Sequence, residues 1–550
     1  MSAPTFSNLY RSDFKKRLTT TQFDLLVIGG GITGCGIALD AALRGLKVAL
    51  IEKNDFASGT SSRSTKLIHG GLRYLKQMEI KLVHDVGSER AIVHRNARHV
   101  VIPEKMLLPI VEGGSLGSFT TSMGLLVYDL LAGVKSEERR RMLDRHETHK
   151  AEPLLATDKL LGGGLYFEYR TDDSRLVIEL AKSAFANGAI LLNYAESQHF
   201  VYSTQGKIEG VQVKDKLSGE NFTIQTKLVV NACGPWVDLL RKEDNSLKGK
   251  RLQLTKGVHI VFPQSKLPLK QAAYFDVDGG RMIFAIPRDG VTYVGTTDTV
   301  YNQEIDKPRC TKADATYLLK AVNKMFPSVQ LKEEDIVSSW AGLRPLIHED
   351  GKSPSELSRK DEIMISESGL ISIAGGKLTG YRLMAEKITD LAAKTLGKSV
   401  GGSLTKNYRL SGGAFNNDAE FAQAVDALER WSAEEQIPRD HLKRWFFRYG
   451  SNLRYLVDKV KLLRHNQVEG DDLYCLAELY YCIEHEMIYH LSDFFIRRTG
   501  KIFFDHQNSE RQLQFVQNVI NHQLHVSINE GQQMLQQTAE EYRWAVTFEP

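Results

Sequence analysis

Short apolar runs followed by glycines and then by helical spacing recur along the chain. Residues 23–28 (FDLLVI) form the first run, and Gly29–Gly31 follow it directly. Residues 32–44 then place most of their apolar side chains on one helical face, and KVALIE at 47–52 forms a second run. Apolar runs of four to eight residues bounded by glycine are typical of buried parallel strands. These residues therefore predict a strand, glycine turn, helix and strand in sequence.

Two later segments repeat the first half of this pattern. LVVNACGPWVDLL at 228–240 combines an apolar run, a Gly-Pro turn and a helical segment. GLISIAGGKLTGYRLMAEKITDLAAKTL at 369–396 does the same, with Gly375-Gly376 as the turn. Since all three pieces need a sheet on which to pack their helices, we expect them to join in one discontinuous domain.

The other parts of the chain have different patterns. Residues 259–263, 281–288 and 291–297 are apolar or β-branched runs interrupted by Pro and Gly, which favours antiparallel strands. Residues 397–413 are rich in Gly, Ser and Lys and indicate a linker, whereas 414–550 indicate a helical domain. Residues 1–22 form a polar segment without the apolar core of a signal peptide, and we expect a tail there.

Composition narrows the class of protein. The 550 residues include 71 Lys and Arg against 67 Asp and Glu, a net charge of +4 that does not favour nucleic acid as a partner. The five cysteines contain no CxxC pair, so we expect neither a disulfide framework nor a metal site, and a reducing compartment is favoured. No stretch reaches the roughly 20 mostly apolar residues of a spanning helix.

The first glycine turn carries a dinucleotide signature. Gly29, Gly31 and Gly34 form GxGxxG between a predicted strand and a predicted helix, and Glu52 ends the next strand. The glycines allow a tight turn, the approach of a pyrophosphate and close helix packing, and an acid about 20 residues on holds a ribose hydroxyl. The alternative is a glycine turn without a ligand.

A hydroxyl-rich segment follows Glu52. Residues 58–65 read SGTSSRST, followed by KLIHGGLRYL. Such a segment is compatible with an extended course beneath a long cofactor, because hydroxyl and N–H groups are available and glycine leaves room for a ring. Its composition fits a flexible loop equally well.

Motifs in this order resemble those of one family. GGGITGCGIALDAALRG, TSSRSTKLIHGGLRYL, NACGPWVD, VGTTD, GLRPL and GGKLTGYR are similar to the flavin-dependent glycerol-3-phosphate dehydrogenases, within the wider group of FAD oxidoreductases that resemble D-amino-acid oxidase. The resemblance covers about residues 23–396, and the helical tail resembles the family's C-terminal domain. TSSxSxKLIHGGLRYL is the most specific motif, whereas GxGxxG is shared with many unrelated enzymes.

The resemblance implies an α/β fold of three parts. A Rossmann-like FAD-binding domain would comprise residues 1–85, 165–240 and 340–396. A discontinuous substrate domain built on an antiparallel sheet would comprise 86–164 and 241–339. The linker 397–413 would lead to a helical C-terminal domain at 414–550.

The resemblance also implies which residues hold FAD in an extended pose. The ADP half would lie against Gly29, Gly31, Gly34 and Glu52. The flavin half would lie against Thr60, Ser61, Ser64, Lys66, Leu67 and His69, with Gly375, Gly376, Lys377, Leu378 and Thr379 beside the pyrimidine edge. A helix that starts near Leu378 would direct N–H groups at the negative charge of reduced flavin.

The reaction expected from the family is oxidation of sn-glycerol 3-phosphate to dihydroxyacetone phosphate, with hydride transfer to flavin N5. Arginine binds phosphate bidentately, so Arg73 and Arg344 are the expected clamps, with Tyr74 and Lys377 as further substrate contacts. His259 is the first candidate base because imidazole titrates near neutral pH. Arg344 or Lys377 would stabilise the forming alkoxide. A structural histidine and a buried arginine ion pair are the alternatives, and the family does not settle which group takes the proton.

Electrons must then leave the flavin. The family's dehydrogenases pass them to membrane quinone, so we expect peripheral association with the inner face of a membrane from the cytoplasm, and a homodimer is compatible with this. Residues 123–133 are apolar and 135–145 are basic, which fits an interfacial surface or an ordinary buried helix. The alternatives are an oxidase that reduces oxygen and a non-catalytic flavin protein docked on membranes. Trp236 is expected near the adenine, and Asp172-Asp173 is interpreted as a solvated turn.

Overall fold

The structure is a computed structural model that describes residues 5–69, 80–114, 140–278, 280–349, 361–375 and 377–549. Its strands are β1 Leu25–Ile28, β2 Val48–Ile51, β3 Leu67–Ile68, β4 Val101–Val111, β5 Arg141–Asp144, β6 Leu160–Thr171, β7 Ile190–Leu192, β8 Ala195–Tyr202, β9 Ile208–Asp215, β10 Asn221–Gln225, β11 Val229–Asn231, β12 Lys250–Pro263, β13 Ala272–Val277, β14 Arg281–Arg288, β15 Val291–Gly295, β16 Thr299–Val300, β17 Ser338–Glu349, β18 Glu362–Ile365 and β19 Ile371–Ala374. Its α-helices are α1 Arg11–Thr20, α2 Ile32–Leu43, α3 Ile80–Asn96, α4 Arg145–Ala151, α5 Asp173–Ala186, α6 Val237–Glu243, α7 Lys312–Met325, α8 Tyr381–Thr395, α9 Asp418–Glu435, α10 Arg439–Tyr449, α11 Leu453–His465, α12 Gly470–His485, α13 Lys501–Phe504, α14 His506–Arg511, α15 Leu513–Leu524 and α16 Ile528–Val546.

The three strand-glycine-helix pieces meet in one six-stranded sheet of order β18-β19-β11-β1-β2-β7. Strands β19, β11, β1, β2 and β7 are parallel to one another, with Leu26 opposite Val229 and Val230 opposite Ile371, whereas the edge strand β18 is antiparallel to β19. All residues of β1, β2, β11 and β19 are buried, as expected for parallel strands covered on both faces. The three pieces thus share one sheet, whereas the division of the chain into domains stays a prediction.

A ten-stranded sheet, largely antiparallel, forms the second layer, with β12 to β15 at its centre. Its longest pairing joins β12 to β17, from Lys250 opposite Glu349 to Val261 opposite Ser338. This pairing differs from the predicted division, which assigned residues from 340 onward to the FAD-binding domain. Ala341, Leu343 and Ile347 are buried in the larger sheet, and their strand crosses to it because β12 offers a full-length partner. The remaining domain boundaries stay a prediction.

The expectation of an N-terminal tail is wrong in part, because α1 packs on the part of the protein that contains the six-stranded sheet. Phe14 and Leu18, one helical turn apart, are completely buried, and the ring of Phe14 meets that of Phe185 edge-on with their centroids 5.6 Å apart. Arg11 binds Asp215 at 2.7 Å. A segment of mostly polar composition is thus held by a few apolar side chains at helical spacing.

Residues 418–546 form the helical part that the sequence predicts, from α9 to α16. Its core is continuous with the larger sheet, since Trp340 and Tyr293 of that sheet pack with Phe503 and Phe504. None of the described helices is long and apolar enough to cross a membrane.

Candidate functional site

A cavity of about 370 Å³ opens between the six-stranded sheet and β17. Its wall includes the glycine turn after β1, the hydroxyl-rich segment, the turn after β11 and the turn after β19. Nine predicted cofactor or catalytic residues line it: Gly29, Gly31, Glu52, Thr60, Ser61, Ser64, Gly375, Lys377 and Leu378. Residues that sequence reasoning did not assign also line it, among them Lys53, Ser58, Glu196, Ser197, Leu239, Glu243 and Pro345.

The glycine turn has the tight packing that a dinucleotide site requires. Gly29 has φ +113°, and a Cβ there would lie 2.6 Å from the carbonyl oxygen of Ala232. A Cβ on Gly34 would lie 1.9 Å from the oxygen of Gly29, so only glycine lets α2 approach the turn. The N-terminus of α2 therefore faces the cavity with its N–H groups and positive dipole end.

Glu52 lines the cavity directly after β2. Its Oε2 accepts the N–H of Gly30 at 2.7 Å and its Oε1 accepts the N–H of Asn54 at 2.9 Å. Burial raises the pKa of the Glu52 carboxyl above its ordinary value, although both N–H groups oppose the rise. Glu52 is thus oriented by the backbone beside the cavity, in the position predicted from its spacing.

Residues with unpartnered polar atoms line the cavity as well. Among the described residues, the buried Nε1 of Trp236 and Oγ of Ser197 have no hydrogen-bond partner. The ammonium of Lys53 lies 4.6 Å from the centre of the Trp236 ring. Buried polar atoms without a partner are costly, so they indicate groups that a polar ligand satisfies. Nothing in the sequence pattern points to Ser197.

The hydroxyl-rich segment is bound to the face of β17 and is not a free loop. Thr60 Oγ1 donates to the carbonyl oxygen of Leu343 at 2.8 Å, and Trp340 Nε1 donates to the carbonyl oxygen of Ser64 at 3.0 Å. A Cβ on Gly342 would lie 2.3 Å from the carbonyl oxygen of Arg63, so the segment touches the sheet here. The segment therefore lies along the cavity wall with a 3-10 turn at Thr60–Ser62, so neither a fully extended course nor a free loop describes it.

Asp173 is a buried partner of the hydroxyl-rich segment that sequence reasoning missed. The interpretation of Asp172-Asp173 as a solvated turn is wrong, because both side chains are buried at the start of α5. Asp173 accepts from Ser64 Oγ at 2.7 Å and from Lys66 Nζ at 2.6 Å. The available signal was the acidic pair at the start of α5, since acidic residues cap helices. The partners of Asp173, however, are distant in the chain.

His259 lies on β12, 1% exposed, with its ring stacked on that of Trp340 at a centroid distance of 4.8 Å. Its Nε2 is 3.1 Å from Thr65 Oγ1, and its Nδ1 has no hydrogen-bond partner among the described residues. Burial lowers the pKa of His259 well below its ordinary value, and the nearby positive charges of Arg344 and Lys66 lower it further. The imidazole is therefore neutral at physiological pH, which is the state that accepts a proton.

Arg344 lies on the same sheet face as His259. In the β12–β17 register, His259 is opposite Trp340 and Thr255 is opposite Arg344, so the two pairs are four residues apart on strands whose side chains alternate. Arg344 donates to Thr296 Oγ1 at 2.9 Å and to the carbonyl oxygen of Thr297 at 3.2 Å. Its side chain is 32% exposed, and Asp298 lies 3.4 Å away. The guanidinium is therefore oriented but still accessible to a solute.

Two glycines leave room for the side chains of Arg344 and His259. A Cβ on Gly257 would lie 2.2 Å from the guanidinium of Arg344, and a Cβ on Gly295 would lie 2.2 Å from the ring of His259. Larger residues at either position would displace the side chains expected to meet substrate. These glycines have packing reasons, which their φ angles alone would not reveal.

The other predicted residues have varied placements. Within the part of the chain that the structure describes, seven predicted site residues do not line the cavity: Gly34, Lys66, Leu67, His69, His259, Arg344 and Thr379. Lys66 is engaged by Asp173 and Ser62, Leu67 is buried in β3, and the His69 ring is 5.8 Å from that of Phe284.

Some predictions lie outside the described residues. They are Arg73, Tyr74, Gly376 and the interfacial segment 123–133 together with residues 135–139 of the basic segment that follows it. Among the residues that are described, no group of His, Cys, Asp and Glu is arranged to hold a metal ion. The individual roles of the predicted site residues stay predictions.

The fold and the cavity together define a dinucleotide-binding oxidoreductase of the FAD-dependent class. A family model described as FAD dependent oxidoreductase matches residues 24–382, and one described as the C-terminal domain of alpha-glycerophosphate oxidase matches residues 403–530. The groups that line the cavity suit FAD, because they include the N-terminus of α2, the Glu52 carboxyl and Lys377.

Relatives specify the family further. An aerobic glycerol-3-phosphate dehydrogenase from Bacillus subtilis (strain 168) is 54% identical over 505 residues, which cover 91% of this chain and 91% of that protein. One from Staphylococcus epidermidis is 52% identical over 513 residues, 92% of this chain and 91% of that protein. The chain belongs to the family of the FAD-dependent aerobic glycerol-3-phosphate dehydrogenases, and the resemblance inferred from the motifs is confirmed.

Solved structures agree with this assignment. The X-ray structure of the glycerol-3-phosphate dehydrogenase from Bacillus halodurans complexed with FAD superposes with a TM-score of 0.85 at 43% identity, covering 98% of this chain and 99% of that chain. The L-alpha-glycerophosphate oxidase from Mycoplasma pneumoniae has a TM-score of 0.54 at 19% identity, covers 71% of this chain and 99% of that chain, and shares the fold alone.

Proposed function

We propose that the protein oxidises sn-glycerol 3-phosphate to dihydroxyacetone phosphate and delivers the electrons to a membrane quinone. The observation that carries the first half is the pair formed by neutral His259 and partly exposed Arg344 on one face of the larger sheet. The pair adjoins the cavity wall through Pro345, which follows Arg344, and through Ser64, which precedes the Thr65 contact of His259. The names of the curated relatives supply the substrate.

When bound, FAD supplies the acceptor for the hydrogen on C2 of the substrate. His259 takes the proton of the C2 hydroxyl, because its neutral imidazole has a free nitrogen lone pair and lies in a dry environment. Thr65 and Trp340 hold the ring in one orientation. As the proton leaves, the C2 oxygen gains negative charge, and a fixed cation nearby stabilises that charge.

Arg344 and Lys377 provide the positive charge of the site. Arg344 is oriented by Thr296 and Thr297, so little reorganisation is needed when an anionic group arrives. Lys377 lines the cavity from the turn after β19. We assign the phosphate or the forming alkoxide to these two side chains, with Arg73 and Tyr74 as further substrate contacts.

An anaerobic absorbance spectrum before and after addition of glycerol 3-phosphate tests the reductive half-reaction. Loss of the oxidised flavin band near roughly 450 nm is expected, since a reduced flavin no longer absorbs there. A band that persists would refute the substrate and favour a flavin protein without this turnover. Glycerol 2-phosphate is the matched control, because it carries the same charge but no oxidisable secondary alcohol.

The electron acceptor needs its own test. Turnover with a soluble quinone analogue should exceed turnover with oxygen, and catalase should not change the quinone-dependent rate. Stoichiometric peroxide with no response to quinone would instead establish an oxidase.

Liposome sedimentation of the full chain tests the proposed peripheral association with the inner membrane face, and light scattering tests the homodimer.

A further inference from the structure

The helical C-terminal domain reaches the FAD site through one buried carboxylate. We define the cofactor loop as residues 52–61, whose two ends line the cavity through Glu52 and through Ser58 to Ser61. Its middle residue Asp55 has a side chain with 0% exposure. That carboxylate is held by two consecutive arginines from the π-helical turn Asp493–Arg498 of the helical domain.

The contacts on Asp55 are short and directional. Arg497 Nε donates to Oδ2 at 2.7 Å, while Arg498 donates from Nη1 to Oδ2 at 2.7 Å and from Nη2 to Oδ1 at 2.9 Å. Asn193 Nδ2 donates to Oδ1 at 3.0 Å. Burial alone would raise the pKa of Asp55, but Arg498 and Arg497 lower it below its ordinary value. Asp55 is therefore ionised and fully coordinated by hydrogen bonds.

The two arginines are themselves fixed within the helical domain. Arg497 pairs with Asp493, and Arg498 donates to the carbonyl oxygen of Glu486 at 2.7 Å. Asp493 also accepts the hydroxyl of Tyr194 at 2.6 Å, and Tyr194 donates its backbone N–H to the oxygen of Asn54 at 2.8 Å. The turn thus holds the cofactor loop at two adjacent residues.

The cofactor loop on either side of Asp55 lies against the glycine turn after β1. Ala57 donates its N–H to the oxygen of Gly30 at 3.0 Å, and a Cβ on Gly30 would lie 2.7 Å from the ring of Phe56. Asn54 donates its N–H to the carboxylate of Glu52 at 2.9 Å. A shift of Asp55 would therefore move both the glycine turn and Glu52, the two groups expected at the adenosine half of FAD.

We propose that Arg497 and Arg498 are positioning residues for FAD, which hold the cofactor loop through Asp55 so that FAD binding and docking of the helical domain stabilise each other. If docking favours the loop conformation that binds FAD, then by linkage FAD must favour docking by the same factor. The proposal concerns cofactor binding alone and does not depend on the substrate or the electron acceptor.

The test compares Arg497→Lys and Arg498→Lys with wild type as holoenzymes. Dilution releases FAD, and the fluorescence of the released FAD gives its dissociation constant. Lysine keeps the charge but cannot make the paired N–H contacts, so we expect each variant to raise the dissociation constant about tenfold. The rate of flavin reduction should return to the wild-type value when excess FAD is added, because the substrate site is untouched.

Arg448→Lys is the matched control. Arg448 is a partly buried arginine of the same domain that pairs with Glu478 and donates to the carbonyl oxygen of Thr499 at 2.8 Å, and no contact between it and the cofactor loop is found among the described residues. This variant should lower the melting temperature but change the FAD dissociation constant less than about twofold. The proposal is overturned if Arg497→Lys and Arg498→Lys both stay within twofold of wild type, or if the control weakens FAD binding as much as they do.

Hydrogen exchange on the wild-type chain keeps the proposal testable if the lysine variants do not fold. With FAD bound, amides in 493–498 should exchange at least about fivefold more slowly than after removal of FAD, because FAD stabilises the docked turn. Helix α15 is the internal control, since it lies in the same domain away from the loop. Equal slowing in both segments, or none in the turn, would overturn the proposal.

Discussion

Replacement of Arg344 by alanine is the most informative perturbation of the proposed site. The guanidinium lies on the β12–β17 face with His259 and is oriented by Thr296 and Thr297. Alanine removes the charge and the donors while leaving the strand pairing intact, because backbone hydrogen bonds define the register. The cavity around FAD should therefore persist.

The magnitude follows from the environment of the side chain. Removal of one oriented donor to a developing oxyanion costs about 10²–10³ in rate, or roughly 2.7–4 kcal/mol. Arg344 is 32% exposed, so water screens part of its field, and the lower end of that range applies. We expect the anaerobic rate constant for flavin reduction to fall about a hundredfold.

Comparison of two substrates separates the two roles of Arg344. Stopped-flow reduction is measured with glycerol 3-phosphate and with glycerol, which has the same secondary alcohol but no phosphate. If Arg344 stabilises the alkoxide, the variant loses the same factor with both. If Arg344 binds phosphate, the loss with glycerol is much smaller, and the loss with glycerol 3-phosphate is found mainly in the substrate dissociation constant.

Arg281→Ala is the control, since Arg281 is an exposed arginine at the end of β14 in the same sheet. It should react like wild type. An Arg344→Ala protein that binds FAD normally and is reduced by saturating glycerol 3-phosphate at the wild-type rate, with an unchanged substrate dissociation constant, would refute both roles.

Three further outcomes are expected. Because burial lowers the pKa of His259, its base form persists as pH falls through about 6.5, the ordinary histidine value, so the flavin reduction rate should stay flat there; a half-maximal rate at or above that pH would contradict the assignment. Asp173→Asn leaves the buried ammonium of Lys66 without its counter-ion and should lower the free energy of unfolding by about 3–5 kcal/mol in denaturant titration, whereas Asp278→Asn at an exposed ion pair should change it little. Gly31→Val places a side chain in the cavity, so the purified variant should lack the flavin band, and stoichiometric flavin would reject the pyrophosphate path.

Local patterns in the sequence determined the nucleotide half of the site. Spacing alone predicted Gly29, Gly31, Gly34 and Glu52 as nucleotide contacts, because the strand, turn and helix that carry them are consecutive in the chain and interact at short range. The same reasoning brought β1, β11 and β19 into one sheet, since buried parallel strands have a recognisable apolar pattern. The motif resemblance added FAD and the family.

Tertiary structure alone decided which distant residues complete the site. Asp173 lies more than 100 positions from Ser64 and Lys66, and no periodicity connects them. The pairing of β17 with β12 puts Arg344 and His259 on one face. It depends on which strands of the sheet have a free edge, and this is a property of the tertiary structure. Sequence patterns report interactions within one element, whereas the partners of a buried charge are chosen by packing between elements. That is why the clamp on Asp55 by a domain more than 400 residues away could be found only in the fold.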